Sequence, residues 1–462
     1  MSYNAEINPR KGEKMRSWTY FWVLPICLTS YLISFWGTAL GMENIGLFPK
    51  SVKQFTIDNV KITWGGDFRL RYEYKQDFDF NDEVNDKDGL WYARTRFNMG
   101  ANFNNKVLLF FEGLDSREWV SNLSPKTQKD NFDLHQLYFL LSKPNDLPVS
   151  LKVGRQELIY GAKRLVSAPT WSNNIRSFDA VKVTYNPKLF DVDLFWGNVV
   201  QYFDRKFNDG KFGEHFFGLY TTYKGIQGSR FDLYTLNLID KHRLVTGEDK
   251  HEGDSERYTV GTRGEGKLPR YDAWGYGYEF AYQCGDKASD KIKAYAYHVD
   301  LNYSFTKFLA QPMIKIEYNF ATGDNDPKDG KAETFNPLFP TAHEPYGIID
   351  LFRWANMKEV ALSLEFSPLK DRIKGYLQYH RFYLDETEDA WYNARGKKVK
   401  NGTFADVSDF VGEEADFYLK YKVLSFLELQ CGYAHFFCGD YVEDTGSSDD
   451  ADWFYLQTSI SF

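Results

Sequence analysis

The chain has 462 residues, a formal net charge of −8 and 18% aromatic residues, including 32 Tyr and 39 Phe. Its negative mean hydropathy excludes a bundle of apolar transmembrane helices, and its acidic balance gives no electrostatic footprint for nucleic acid. Cys27, Cys284, Cys431 and Cys438 show neither metal-ligand spacing nor a disulfide framework.

At the N-terminus, Arg10, Lys11, Lys14 and Arg16 precede an uncharged apolar run from Trp18 to Leu40. Ala39-Leu40-Gly41 then supplies a small-x-small cleavage site. Residues 1–41 are therefore expected to be a signal peptide, with 42–61 left as a periplasmic N-terminal segment. An uncleaved anchor is the alternative, because the apolar run is long.

From Ile62 onward apolar residues recur at period two, without helical periodicity over any long window. The pattern predicts eighteen strands, at 62–74, 90–104, 107–116, 132–142, 149–157, 177–186, 190–199, 214–224, 229–239, 256–265, 271–284, 290–304, 311–321, 355–367, 372–384, 413–423, 426–437 and 452–462. Many span about ten residues, enough for a tilted strand to cross a bilayer. Long polar connectors, such as 75–89, 158–176, 240–255 and 322–354, alternate with tight ones such as 105–106, 187–189 and 424–425. Only 285–289 is short where a long loop is expected. Long loops at one end and short turns at the other predict an all-β, 18-stranded antiparallel transmembrane β-barrel of the outer-membrane porin type, occupying 62–462, with both termini periplasmic.

The faces agree with this reading. In the first strand Trp64, Phe68, Leu70, Tyr72 and Tyr74 share one face, and Asp67, Arg69, Arg71 and Glu73 the other. In the second, Trp91, Phe97 and Met99 oppose Arg94 and Arg96. An arginine facing lipid at the midplane costs about 2–4 kcal/mol, and four would consume most of a domain's stability. They are therefore assigned to the lumen. The last strand alternates Phe454, Leu456 and Ile460 with Tyr455, Gln457 and Ser459, and ends on Phe462. It resembles the assembly signal of bacterial outer-membrane proteins.

Two irregular stretches stand out. Gly154–Val181 reads GRQELIYGAKRLVSAPTWSNNIRSFDAV, and Ala321–Asn356 reads ATGDNDPKDGKAETFNPLFPTAHEPYGIIDLFRWAN. The first resembles the hallmark of the alginate-export porins. The second resembles the long late loop of the same family, above all in Gly323-Asp324 and in Phe335–His343. The resemblance extends from about Ile62 to Phe462. It implies an eighteen-stranded outer-membrane channel in which such loops fold inward, with an anionic polyuronate as cargo.

Each sugar of a polyuronate carries a carboxylate, which arginine can bind through two parallel bonds. The expected substrate path is Arg69, Arg71, Arg94, Arg96, Arg155, Arg164, Arg176 and Lys182, with Arg164 or Arg176 contributing to the constriction. Lumen acids such as Asp67, Glu73, Glu112 and Glu279 support a plainer reading, in which arginines and carboxylates brace the wall. Asp324, Asp326 and Asp329 lie in a Gly-containing acidic loop that could hold Ca²⁺. The spacing is not that of an EF-hand, and a solvated acidic turn is the other reading. No HExxH, GxSxG or P-loop motif occurs, so an enzyme is not expected. A general diffusion porin is the main alternative, with a barrel-borne enzyme or adhesin behind it. The expected partners are outer-membrane lipids, lipopolysaccharide, an anionic polysaccharide and periplasmic export or scaffold proteins.

Overall fold

The computed structural model describes residues 54–119, 128–144, 147–204, 206–343 and 345–462. The signal-peptide reading and Cys27 fall outside them. Eighteen strands close into one antiparallel barrel. In chain order they are β1 (Val60–Gln76), β2 (Asp88–Phe103), β3 (Val107–Trp119), β4 (Asp130–Ser142), β5 (Val149–Gln156) and β6 (Phe178–Tyr185). Next come β7 (Phe190–Gln201), β8 (Glu214–Tyr223), β9 (Ser229–Thr246), β10 (Glu252–Leu268), β11 (Tyr271–Lys287) and β12 (Asp290–Ser304). The last six are β13 (Met313–Ala321), β14 (Met357–Leu369), β15 (Ile373–Tyr383), β16 (Phe410–Leu424), β17 (Leu427–Cys438) and β18 (Ala451–Ser461). A short strand, Gln54–Ile57, folds back on the start of β1.

Closure is made by β1 and β18, paired from Asp67↔Ser461 to Gln76↔Asp452. A closed barrel leaves no ladder edge to be satisfied in lipid. Phe462 completes the seam by exchanging two backbone hydrogen bonds of 3.0 Å with Gly66. Any Cβ at Gly66 would stand 2.2 Å from the Arg96 carbonyl and 2.8 Å from the Phe462 ring, so glycine is required there. Facing outward are Trp91, Phe97, Met99, Leu194, Leu233 and Leu362, all exposed in the isolated chain. Arg69, Arg71, Glu73 and Arg94 on the opposite face are buried. This is the inside-out distribution that a lipid solvent demands.

Two expectations need correction. The stretch 240–255 is not a loop: β9 and β10 continue to Thr246↔Glu252, with a register shift after Asp240. Likewise β11 and β12 pair to Lys287↔Asp290, where Ala288 takes a positive φ of 52° in the turn. Both hairpins run on as ribbons whose residues are largely polar on both faces, so period two carries no apolar signal there. This also explains the short connector at 285–289.

The loop end of the barrel is packed. Leu158, Val166, Phe335, Tyr346, Phe352 and Trp354 from the two long loops join wall residues Phe178, Phe216, Phe382 and Phe436 in one buried cluster. Phe352 stacks on Phe382 at 3.8 Å, and the Trp391 indole donates to the Leu351 carbonyl at 2.9 Å. Burying each such side chain contributes about 1.5–3 kcal/mol. The loops therefore form an apolar plug, where an eighteen-stranded barrel would otherwise hold water.

Candidate functional site

The segment between β5 and β6 leaves the wall at Glu157 and returns at Phe178. Part of it runs against the wall at β1–β3, and its backbone carbonyls need donors because no ladder supplies them. The wall arginines fill that need. Arg69 donates to the carbonyls of Thr170 (2.8 Å), Trp171 (3.0 Å) and Ser172 (3.3 Å), and to Asn173 Oδ1 (3.0 Å). Arg94 donates to Thr170 at 2.8 Å and Ser172 at 3.0 Å. Arg71 donates to Trp171 at 2.8 Å, pairs with Glu73 at 2.8 Å, and lies 3.7 Å over the Trp171 ring. On register, Arg69 faces Arg94 directly across β1 and β2. The two like charges share a site because the loop carbonyls converge on both.

Asn173 is the hub of this grip. It is fully buried and donates to the carbonyls of Ala93 (3.1 Å) and Arg117 (3.0 Å), while the Ser116 hydroxyl donates to the Asn173 carbonyl at 2.8 Å. Trp171 is stacked on His343 of the second loop at 4.0 Å, with its edges against Trp453 and Tyr455 of β18. The two loops also join through their backbones, in a parallel bridge between Val166 and Phe339. Ser167 N–H donates to Phe339 at 2.8 Å, and Phe339 N–H to Leu165 at 2.9 Å.

Below this junction is a cavity of about 480 Å³. Its lining includes Arg69, Arg94, Arg96, Lys163 and Lys420, and among the described residues Asp67 is its one carboxylate. Arg96 is bound to Asp67 at 2.6 Å, while Arg69 and Arg94 spend their donors mainly on carbonyls. A carbonyl satisfies an N–H without cancelling the charge, so the wall keeps a positive potential. Gln430, Gln457, Ser459, Thr341 and Trp171 complete the lining with groups suited to hydroxyls and to the apolar face of a sugar.

The other path residues lie elsewhere. Arg155 clamps Asp179 of β6 through two bonds of 2.8 and 2.9 Å and reaches the carbonyls of Leu134 and Asn208, bracing the wall. Lys182 pairs with Asp193 at 3.2 Å. Arg164 is buried against β11–β13, 3.5 Å from Glu279, 4.0 Å from Glu317 and 3.0 Å from His298 Nε2. Arg176 donates to the carbonyls of Ser167, Phe339 and Pro340 at 3.0, 2.7 and 3.2 Å. Burial lowers its guanidinium to about 10, so it stays charged at neutral pH. Arg164 thus ties a loop to the wall and Arg176 ties loop to loop. Neither lines the cavity, whereas Arg69, Arg94 and Arg96 do.

Asp324, Asp326 and Asp329, the candidate calcium residues, lie in the loop between β13 and β14. Asp324 receives the N–H groups of Asp326 (3.3 Å) and Glu333 (3.5 Å), whereas Asp329 turns to Lys331. They are not among the described groups whose ligand atoms converge. Burial, with the charges of Glu248 and Asp389 adding to it, pushes the Asp324 carboxyl up to about 7. In the unfolded chain it titrates near 3.8. Ionising it therefore costs the folded loop nothing below about pH 4, progressively more up to about pH 7, and a constant amount above. Asp324→Asn should leave the apparent Tm unchanged at pH 4 and raise it at pH 8. Thermal melts at the two pH values check this; a gain that is equal at both would overturn it.

Sequence reasoning missed Asn173 as the hub, His343 as the stacking partner of Trp171, and Lys163 in the lining. His343 could have been singled out at the end of the Phe335–His343 segment. Asn173 carried no signal beyond its amide.

The closed barrel with an inward-folded, arginine-gripped loop defines an outer-membrane channel. The "Alginate export" family matches residues 60–455, and the chain belongs to that family. No curated protein matches its sequence. Among solved structures it is similar in fold to OccAB1 of Acinetobacter baumannii, with a TM-score of 0.59, 12% identity, and coverage of 87% of this chain and 96% of that one. OpdQ of Pseudomonas aeruginosa is similar at a TM-score of 0.57 and 13% identity, covering 88% and 99%. OccK11 (OpdR) of the same organism follows at 0.55 and 14%, covering 87% and 96%. The family and fold point to a channel rather than an enzyme.

Proposed function

We propose that the chain is an outer-membrane conduit for anionic oligo- or polysaccharides of the alginate-like polyuronate class. The observation that carries this reading is the cavity lined by Arg69, Arg94, Arg96, Lys163 and Lys420, with Asp67 the one carboxylate among the described lining residues. Rings of fixed positive charge at a constriction favour anions. Arg96 and Lys163 are the residues best placed to meet successive carboxylates, because the donors of Arg69 and Arg94 are committed to the loop.

A general diffusion porin is the second reading, and one observation favours it. A smaller cavity of about 240 Å³ near β7, β8, β9 and β10 is lined by Asp191, Asp193, Asp232 and Glu265 together with Arg230 and Arg263. A lumen with both signs of charge can pass small solutes of either sign. Reversal potentials in planar bilayers separate the two. The parent channel should prefer chloride over potassium, and oligouronates should block its current. Arg96→Glu should shift the permeability ratio toward cations by about an order of magnitude at low salt. A parent that prefers potassium and is indifferent to oligouronates would leave the general porin. Lipid and lipopolysaccharide contacts follow from the outer-membrane setting; a periplasmic export or scaffold partner would be found by crosslinking at the short-turn end.

A further inference from the structure

A second cluster sits at the base of the same loop, and the conduit does not use it. His135 is the extra residue of a bulge in β4: Glu112 pairs with Gln136 and Gly113 with Leu134, which leaves His135 without a partner across the ladder. Bulges re-aim side chains and concentrate beside functional sites. Here the ring is only 3% exposed. Its Nε2 lies 2.9 Å from Glu157 Oε1 and 3.8 Å from Glu112 Oε1. All three ligand atoms are within 4.8 Å of one another.

We infer that Glu112, His135 and Glu157 form a binding site for a borderline divalent metal ion of the Zn²⁺ type, which fastens the base of the loop to β3 and β4. Three lines of argument converge. The first is size. With metal–ligand bonds of about 2.0–2.2 Å, tetrahedral ligands stand roughly 3.4 Å apart. The observed separations of 2.9 and 3.8 Å bracket that value, so small side-chain rotations close the site.

The second is charge. Glu112 is 4% exposed, yet it is placed within reach of a second carboxylate. Among the described residues neither carboxylate has a lysine or arginine at ion-pair distance; His135 is the single ion-pair partner of both. A buried and a half-buried carboxylate sharing one imidazole call for a divalent counter-charge.

The third is orientation. Asn98 donates to Glu112 Oε2 and Gln136 to Glu112 Oε1, both at 3.3 Å, and the Gln136 oxygen receives the Glu157 N–H at 3.3 Å. These neutral amides aim the ligands without supplying charge, as the outer partners of metal sites do. One imidazole and two carboxylates, with no thiolate, suit Zn²⁺, Co²⁺ or Mn²⁺, with water completing the coordination.

The test uses the full chain in detergent, stripped with a chelator and dialysed against Zn²⁺ or Co²⁺. One tightly held equivalent of Zn²⁺ is expected by elemental mass spectrometry, and a visible d–d band with Co²⁺. His135→Gln and Glu157→Gln should each weaken binding at least a hundredfold and abolish the band. His435, beside Asp450 and Asp452, is the most obvious adventitious competitor, so His435→Gln should leave the band intact. Near-UV circular dichroism monitors folding; if His135→Gln does not fold, Glu157→Gln on the loop decides. No stoichiometric metal in the parent, or an unchanged Co²⁺ spectrum in either ligand variant, overturns the site. The readout is independent of ion selectivity, so it fails or succeeds separately from the conduit.

Discussion

Arg69→Ala is expected to raise the single-channel conductance at least twofold and to make the β5–β6 loop sensitive to protease. The Arg69 guanidinium, 3% exposed, serves four acceptors on Thr170, Trp171, Ser172 and Asn173. A hydrogen bond from a charged donor contributes roughly 1.5–3 kcal/mol net, and more is lost when its acceptor stays buried and unpaired. The four are not additive, because Arg94 also serves Thr170 and Ser172, and Arg71 also serves Trp171. A loss on the order of 3–5 kcal/mol follows for breaking one member of such a buried set. Arg69→Lys should not restore the grip, since one ammonium cannot reproduce the planar fork. Conductance in planar bilayers and limited proteolysis check both outcomes. An alanine variant with parental conductance would mean that Arg71 and Arg94 suffice.

The second large effect is on stability. Arg164→Met removes the cation that faces Glu279 and Glu317; Glu317 keeps Lys315, while Glu279 is left buried with no other ion-pair partner among the described residues. Tyr234 still donates to Glu279 at 3.2 Å, which offsets only part of the change. Removing one partner of a buried ion pair costs about 3–5 kcal/mol, so the apparent melting temperature should fall clearly below that of the parent. Combining Arg164→Met with Glu279→Gln should recover part of the loss. In a double-mutant cycle the pair should show a coupling of about 1–3 kcal/mol. Simple additivity would show that Arg164 acts through packing alone.

The wall was legible in the sequence and the site only partly so, for a physical reason. Lipid imposes a two-residue alternation on each spanning strand, so Trp91, Phe97 and Met99 announce one face and Arg94 and Arg96 the other. Where β9 and β10 run beyond the membrane, no solvent difference remains between the faces, and the alternation disappears. The arginines were correctly given to the lumen side, but alternation states a direction and not a partner. Most of the acceptors that hold Arg69 and Arg94 are backbone carbonyls, which every residue carries, so nothing in the side chains at 170–172 marks them. Arg155 and Arg176 illustrate the same limit. Both sit in the hallmark stretch with the right chemistry for a carboxylate, and both are taken by Asp179 or by loop carbonyls.

The parallel bridge between Val166 and Phe339 bears on protein engineering. Each loop presents an edge that the other completes, with the Trp171–His343 stack as a second fastening. Grafting either loop alone into another barrel would export a half-built plug with unpaired backbone and an exposed indole. The transferable module is the pair, 158–177 together with 322–356, although more than a hundred residues of wall separate them along the chain.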